Sequence, residues 1–329
     1  MDGPALSCKM PIGKLIGLSC RRISRGGLSL SIGLFLSGIS LAEPALRVDL
    51  YIGASSPPQA ELVAALEQAL ADSPSLDVKI RQRSIDDVDN QAASPSADLC
   101  VAIGTSASNA LARSGESGPR LYGFIPRPVW QQIKACCVKP DSKVSALFLD
   151  RAPIEYLQLG QAVSPSDNRF GVLLGPVSKS TETELRRAAA QVGVQLSVAW
   201  VKKADDVGPA LRKLLDDVAV LIALPDPVVF NSQTIYPLLL ASYSAGLPVV
   251  AYSNAMVRAG SAAAVLVSPQ DAGRDLAAEI LHFGATRQLR PARSSPSLSV
   301  RFNQDVLRSL GIEAVAEDSL VKRLRGGQL

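Results

Sequence analysis

"VAVLIALPDPVVFN", residues 218–231, is the stretch on which the fold turns. Its first half, Val218 to Leu224, is an unbroken apolar run with no polar alternation. Such a run has both faces buried, as in a parallel sheet covered by helices on both sides. Pro225 and Pro227 then stop the ladder, because proline donates no hydrogen bond and fixes φ. The strand therefore ends at Asp226, with the backbone stiffened on each side of one carboxylate.

Outward from this point the pattern repeats. On the carboxyl side lie the helical "SQTIYPLLLASYSAG", closing on Gly246, and the strands "LPVVAYS" and "AAAVLVS". Pro237 either kinks that helix or sets its start. A helix over 269–284, the Pro/Arg/Ser linker "RQLRPARSSPS", the strand "LSVRFN", the helix "QDVLRSLG" and a short charged helix in "EDSLVKRLRGGQL" complete this side. On the amino side "RVDLYIG" (47–53), "LDVKIRQ", "ADLCVAIG" (97–104), "RLYGFI", "KVSALFLD" (143–150), "RFGVLLG" (169–175) and "QLSVAWV" read as strands. Helices alternate with most of them. In the first, 58–73, Leu62, Ala65, Leu66, Ala69 and Leu70 share one face. Alternating β and α elements of this length predict parallel sheets with helices on both faces. Two successive series predict an α/β fold of two Rossmann-like, doubly wound lobes; a single eight-stranded barrel is the alternative.

Composition narrows the function. Aromatic residues make up only 5% of the 329, so the core is aliphatic. The net charge of +4 comes from the amino end, where Lys9, Lys14, Arg21, Arg22 and Arg25 face one acid, Asp2. Removing them leaves basic and acidic residues balanced, which gives no footprint for nucleic acid. The same segment reads as a secretory signal. "CRRISRGG" is charged, "LSLSIGLFLSGISLA" is apolar, and Ser40 and Ala42 are small residues at a signal-peptidase spacing. Cleavage is expected after Ala42, with translation starting at Met1 or Met10. A membrane anchor is the alternative, but the apolar stretch falls short of the roughly 20 residues that span a bilayer. After cleavage Cys100, Cys136 and Cys137 remain. They permit one disulfide, Cys100 with one of the adjacent pair, or a buried Cys100 and two incidental thiols.

The candidate site lies at the strand ends. "LYIGAS", "VAIGTS" and "VLLGPVS" each deliver a glycine and then a small polar residue toward a helix. Glycine allows close backbone approach, and a helix amino terminus offers free N–H groups to an anion. Ligands of open parallel sheets bind beyond the carboxyl ends of the strands. The candidate ligand contacts are Gly53, Ser55, Gly104, Thr105, Ser106, Asp150, Asp226, Asn231, Ser253 and Asn254. Asp150 and Asp226 each end a strand. Such a carboxylate suits a ligand ammonium while helix termini receive a carboxylate, or it caps the helix that follows. No dinucleotide or phosphate-loop motif is present. The single histidine, His282, lies on a helix away from any strand end, so no serine triad, catalytic metal, resident metal or cofactor is expected. Phe124, Phe230 and Tyr252 are either core residues or stacking contacts.

Taken together, "VSALFLDRAPIEYLQLGQAV", "RFGVLLGPVSK", "LIALPDPVVFNSQTIYPLLLASYSAGLPVVAYSNAMVRAGSAAAV" and "SPQDAGRDLAAEIL" resemble the ABC-transporter substrate-binding proteins of tryptophan and tyrosine type, in their Gram-negative branch. The resemblance covers roughly residues 45–312. It implies a type I periplasmic binding protein, two lobes joined by three crossovers, with ligand held between them. The crossovers are expected near Asp150–Pro153, near Leu266–Gln270 and through "RPARSSPS". They give lobe I residues 43–151 and 268–291, and lobe II residues 152–267 and 292–329. By the same resemblance Thr105 and Ser106 hold a ligand carboxylate, Asp226 matches the family aspartate, and Asn231 stands at the helix after it. "GPVSKS" departs from the family, which often has an acid after that turn. The implied function is a monomeric periplasmic solute-binding protein that delivers a small amino-acid-like or anionic ligand to an inner-membrane ABC permease. A transporter-independent sensor, or an exported enzyme using Asp150 and Asp226, are the other readings.

Overall fold

The computed structural model describes residues 45–53, 56–74, 76–85, 97–313 and 316–326. The described residues all belong to one compact unit, Glu43–Leu329. The expected leader and Ser55 lie outside them.

In chain order the first elements are β1 (Leu46–Ile52), α1 (Pro57–Ala71), β2 (Val78–Ser84), β3 (Leu99–Ile103), α2 (Gly104–Arg113), β4 (Arg120–Ile125), α3 (Arg127–Cys137) and β5 (Val144–Phe148). There follow α4 (Pro153–Val163), β6 (Arg169–Leu174), α5 (Glu182–Val192), β7 (Gln195–Trp200), α6 (Val207–Leu215), β8 (Val220–Ile222), α7 (Ile235–Ser244), β9 (Val249–Ala251), α8 (Asn254–Ala259) and β10 (Ala263–Leu266). The last are α9 (Pro269–Thr286), β11 (Arg293–Ser294), β12 (Ser299–Phe302), α10 (Gln304–Ser309) and α11 (Glu317–Gly326).

The strands form two sheets of six, ordered β11-β5-β4-β3-β1-β2 and β12-β10-β9-β8-β6-β7. Every pairing is parallel except β10 with β12. Each sheet is covered on both faces. In the first, Leu46, Val48 and Leu50 pack on α1 and α9, while Tyr51, Cys100 and Tyr122 pack on α2 and α3. In the second, α4, α5, α10 and α11 cover one face and α6, α7 and α8 the other. Burial on both faces is why β3 and β8 are apolar throughout. Helices α1 and α9 touch backbone to backbone at Gly273, where a Cβ would come within 2.9 Å of the Leu66 amide nitrogen.

The two doubly wound lobes are thus present, and the chain passes between them three times: after β5, after β10 and after β11. One expected boundary shifts. Arg293 and Ser294 pair with Leu147 and Phe148 of the first sheet, so lobe I extends past 291, and the third crossing begins at Ser295. Two residues inside a Pro/Ser stretch carry no strand pattern; the free edge of β5 recruits them. The cysteines meet neither expectation in full. Cys136 and Cys137 are disulfide-bonded to each other, and Cys100 is a free thiol inside β3. Burial pushes that thiol up to about 12, which leaves it inert.

Candidate functional site

Strand order fixes where a ligand can lie. In lobe I the chain turns one way from β1 to β2 and the other way from β3 onward, so the crevice lies between the carboxyl ends of β1 and β3. These ends carry Gly53 and Gly104. A Cβ on Gly53 would rest 3.5 Å from that of Ser106, so the two ends adjoin. Gly104 takes φ +83°, a conformation that favours glycine, and a Cβ there would press to 2.9 Å on the mobile end of the Gln59 side chain. The turn starts α2 at Gly104, with Thr105 and Ser106 exposed in its first turn. Among the described residues no side chain caps this terminus. Its first amides and positive dipole end point into the crevice.

The matching crevice of lobe II lies between β6 and β8, and it is filled. Asp226, 2% exposed, turns its carboxylate into the loop after β6. One oxygen accepts from the Val177 amide (2.9 Å), the Ser178 amide (2.8 Å) and the Ser178 hydroxyl (3.0 Å). The other accepts from the amides of Val228 (2.9 Å) and Val229 (3.4 Å). Gly175 makes this possible, since a Cβ there would sit 2.6 Å from the Asp226 Cγ. This corrects the expectation of an aspartate presented to the cleft: five donors tie the carboxylate inside its own lobe. Asn231 is likewise committed to its own turn. Its side-chain nitrogen donates to the carbonyls of Pro227 and Val228, and its side-chain oxygen accepts from the Gln233 and Thr234 amides.

Ser253 caps α8 by accepting from the Met256 amide, and Asn254 beside it is exposed. Both follow β9, next to β8 in the sheet. Phe230 is buried and meets Tyr252 edge-on at 6.0 Å. Burial, then the charge of Asp226, push the Tyr252 phenol up. Phe124 sits at φ 59°, in a bulge where the β4–β5 register shifts, and packs half-buried on the lobe I core.

The carboxyl ends of the two sheets meet across a cavity of about 70 Å³. Arg127, Gln131 and Asp150 line it from lobe I and the first crossing; Tyr156, Thr181 and Glu184 line it from lobe II. Its volume is well below the ~300 Å³ of a small-molecule site, and of the sequence candidates only Asp150 lines it. Asp150 accepts from the Arg127 amide. Burial pushes its carboxyl above the usual range, against that hydrogen bond and the Arg127 charge.

Beside Asp150 stands the feature that ties the crossings together. Arg151, 9% exposed, pairs with Glu155 and donates to the carbonyls of Ser295 (2.7 Å) and Ser297 (2.8 Å) in the third crossing. Asp275 of α9 accepts from the Ser295 and Ser297 hydroxyls and from the Ser297 amide. In the second crossing Ser268 caps α9, and Asp271, whose amide it caps, accepts from Ser299 of β12. Arg127, Gln131, Arg151 and Glu184 were not among the sequence candidates. Only Arg151 and Glu155 left a signal, an i, i+4 pair in "DRAPIE".

No group of metal-ligating side chains occurs among the described residues, and no helix among them is long and apolar enough to cross a membrane. The sequence model of one family, described as ABC transporter substrate binding protein, matches residues 79–323. No curated protein matches the chain. Among solved structures, a ligand-free, open substrate binding protein with adhesive properties from Clostridium difficile superposes with TM-score 0.67 at 19% identity, covering 83% of this chain and 97% of that one. An ABC domain from Streptococcus pneumonia in complex with L-Trp gives 0.57 at 19%, covering 84% and 98%. A conserved domain protein from Vibrio cholerae gives 0.58 at 18%, covering 85% and 98%.

Proposed function

Because the chain belongs to the ABC transporter substrate binding protein family, whose members bind a small molecule and serve an ABC permease, we propose that it captures a small carboxylate-bearing ligand between its lobes. In this reading the ligand anion rests on the α2 terminus at Gly104, Thr105 and Ser106, with Gly53 giving it room. Asp150, Ser253 and Asn254 supply polar contacts as the lobes close, and Asp226 with Asn231 shapes the lobe II wall. The leader directs the protein to the periplasm and is cut after Ala42. The role is binding, not catalysis.

One observation carries the proposal. Of two equivalent crevices, lobe II already holds an anion of its own, the Asp226 carboxylate, while that of lobe I is lined by glycines and an uncapped helix terminus. A carboxylate or similar anion is the group that the described residues of lobe I do not themselves supply there. The pneumococcal relative binds an amino acid, L-Trp, which has the required carboxylate.

The test starts with mass spectrometry of small molecules that co-purify with the protein. A thermal-shift panel of amino acids, simple carboxylic acids and neutral sugars follows, since bound ligand raises the apparent stability. Carboxylates should raise the melting temperature and neutral sugars should not. Thr105→Glu, which places a fixed negative charge at the α2 terminus, should abolish the shift. A ligand without an anionic group, or full binding by Thr105→Glu, would sink the proposal.

A further inference from the structure

The last turn of α3 holds a bond that serves neither the core nor the cleft. Cys136 and Cys137 are joined to each other, at the far end of the helix that begins with Arg127. A disulfide stabilises a fold chiefly by closing a long loop in the unfolded chain. This one closes no such loop, because its two residues are already neighbours, so it ties nothing distant together. Nor does it fill the core. Cys136 is exposed, and Cys137 is half-buried at the margin of the cluster that holds Tyr122, Trp130 and Ile133. The peptide link fixes the two Cα atoms 3.7 Å apart. That is below the ~4.4 Å at which ordinary disulfides begin, and a bond held away from its usual spacing is easier to reduce. Charge favours the same chemistry. From Arg127 to Pro140 the chain carries three bases and no acid. Lys134 and Lys139, both exposed, stand two residues to either side of the pair. They offset the negative end of the helix dipole, draw in an attacking thiolate and stabilise the one that leaves.

We propose that Cys136–Cys137 is a thiol-exchange site, opened by a dithiol, either a small molecule or one borne by a protein, while the fold stays intact. One thiolate of the dithiol attacks the sulfur of Cys136, the more exposed of the two. The sulfur–sulfur bond breaks, and Cys137 leaves as a thiolate that takes up a proton. The second thiolate of the dithiol then attacks the dithiol's own sulfur in the mixed bond. Cys136 is released and takes up a proton, and the reagent departs as its disulfide. The pair gains two electrons and two protons, and the dithiol loses them. Cys100 takes no part, because its thiol is buried inside β3 and an attacking group needs both access and a thiolate.

The test treats the purified, air-oxidised protein with dithiothreitol under native conditions, then alkylates it and locates the label by peptide mass spectrometry. Without reductant Cys136 and Cys137 should carry no label. With it both should be labelled, and Cys100 should stay unlabelled until urea is added. Reduction should move the melting temperature by less than about 2 °C, and Cys136→Ser/Cys137→Ser should melt like its parent. Lys134→Glu/Lys139→Glu should slow the opening by about threefold or more in low salt, and added salt should narrow the gap. Damage to the helix would speed the opening instead. Five results would each overturn the proposal: label on the pair before reduction, a pair that opens only in urea, Cys100 labelled as fast as the pair, a reduced chain that melts several degrees lower, or a charge-reversed chain that opens at the parent's rate.

Discussion

Asp226 stood out in the sequence by its two flanking prolines, and its place at a strand end was legible from them. Its partners were not. The nearby amides of Val228 and Val229 fit the capping alternative, but the partners in the loop after β6, the Val177 amide and the Ser178 amide and hydroxyl, lie 48 and 49 residues away, and a backbone amide carries no residue-type signature. The sequence therefore left the carboxylate either facing a ligand or capping the next turn, when it is bound by five donors, three of them across the lobe II crevice. Asp226→Asn turns an amide N–H toward donors that need an acceptor. It should destabilise the protein by about 2–3 kcal/mol, the scale of buried hydrogen bonds to a charged group, seen as a lower urea midpoint with an unchanged slope. A residue whose task was ligand contact would instead lose affinity with little change in stability. Asp150 gives the opposite sign. Burial raises its carboxyl, so between the ordinary carboxylate range and its raised value the folded chain holds more protons than the unfolded one. Stability then falls as pH rises through that window and is level above it. Asparagine keeps the acceptor for the Arg127 amide without the charge. Asp150→Asn should therefore be more stable than its parent at neutral pH, and the gain should vanish below about pH 4, as read from melting temperatures across pH.

At the scale of elements, what the sequence revealed was what burial imposes. Strands covered on both faces must be apolar runs, so "LCVAI" and "VLI" declared themselves, and so did the Leu62, Leu66 and Leu70 face of α1. Elements too short to build a period stayed hidden: the two residues of β11, whose only support is the edge of β5, and the six of α8. Pro237 marked a boundary correctly, since α7 starts at Ile235 and the proline falls in its first turn. Helix α2 starts two residues earlier than the pattern "SASNALARS" suggested, because Gly104 with φ +83° lets the chain turn straight from strand to helix. That early start gives Thr105 its exposed place in the first turn. The Thr105→Glu chain that should lose ligand should also gain about 0.3–1 kcal/mol of stability from the helix dipole, measurable by urea unfolding at low salt. Lost binding with undiminished stability would separate a ligand-site effect from damage to the fold.

For the whole molecule, the three crossings decide how the lobes can move. Arg151 is in the first crossing and holds two carbonyls of the third; Asp275 grips the third from α9, directly after the second. Arg151→Met keeps much of the side-chain volume but strips Glu155 and both carbonyls of their partner. We expect about 3 kcal/mol of destabilisation, in keeping with one member of a buried ion pair being removed. Small-angle scattering of the ligand-free chain should show a broader spread of lobe separations. An unchanged scattering profile would mean that the clamp does not govern the motion. The resident Asp226 carboxylate has a further consequence for this motion. Two nearly duplicate halves, one with its socket plugged from within, cannot compete for the same guest. On the proposed function, capture would then have a fixed sequence: arrival on lobe I would set the entry rate, and lobe II, arriving second as a cover, would set how long the guest stays.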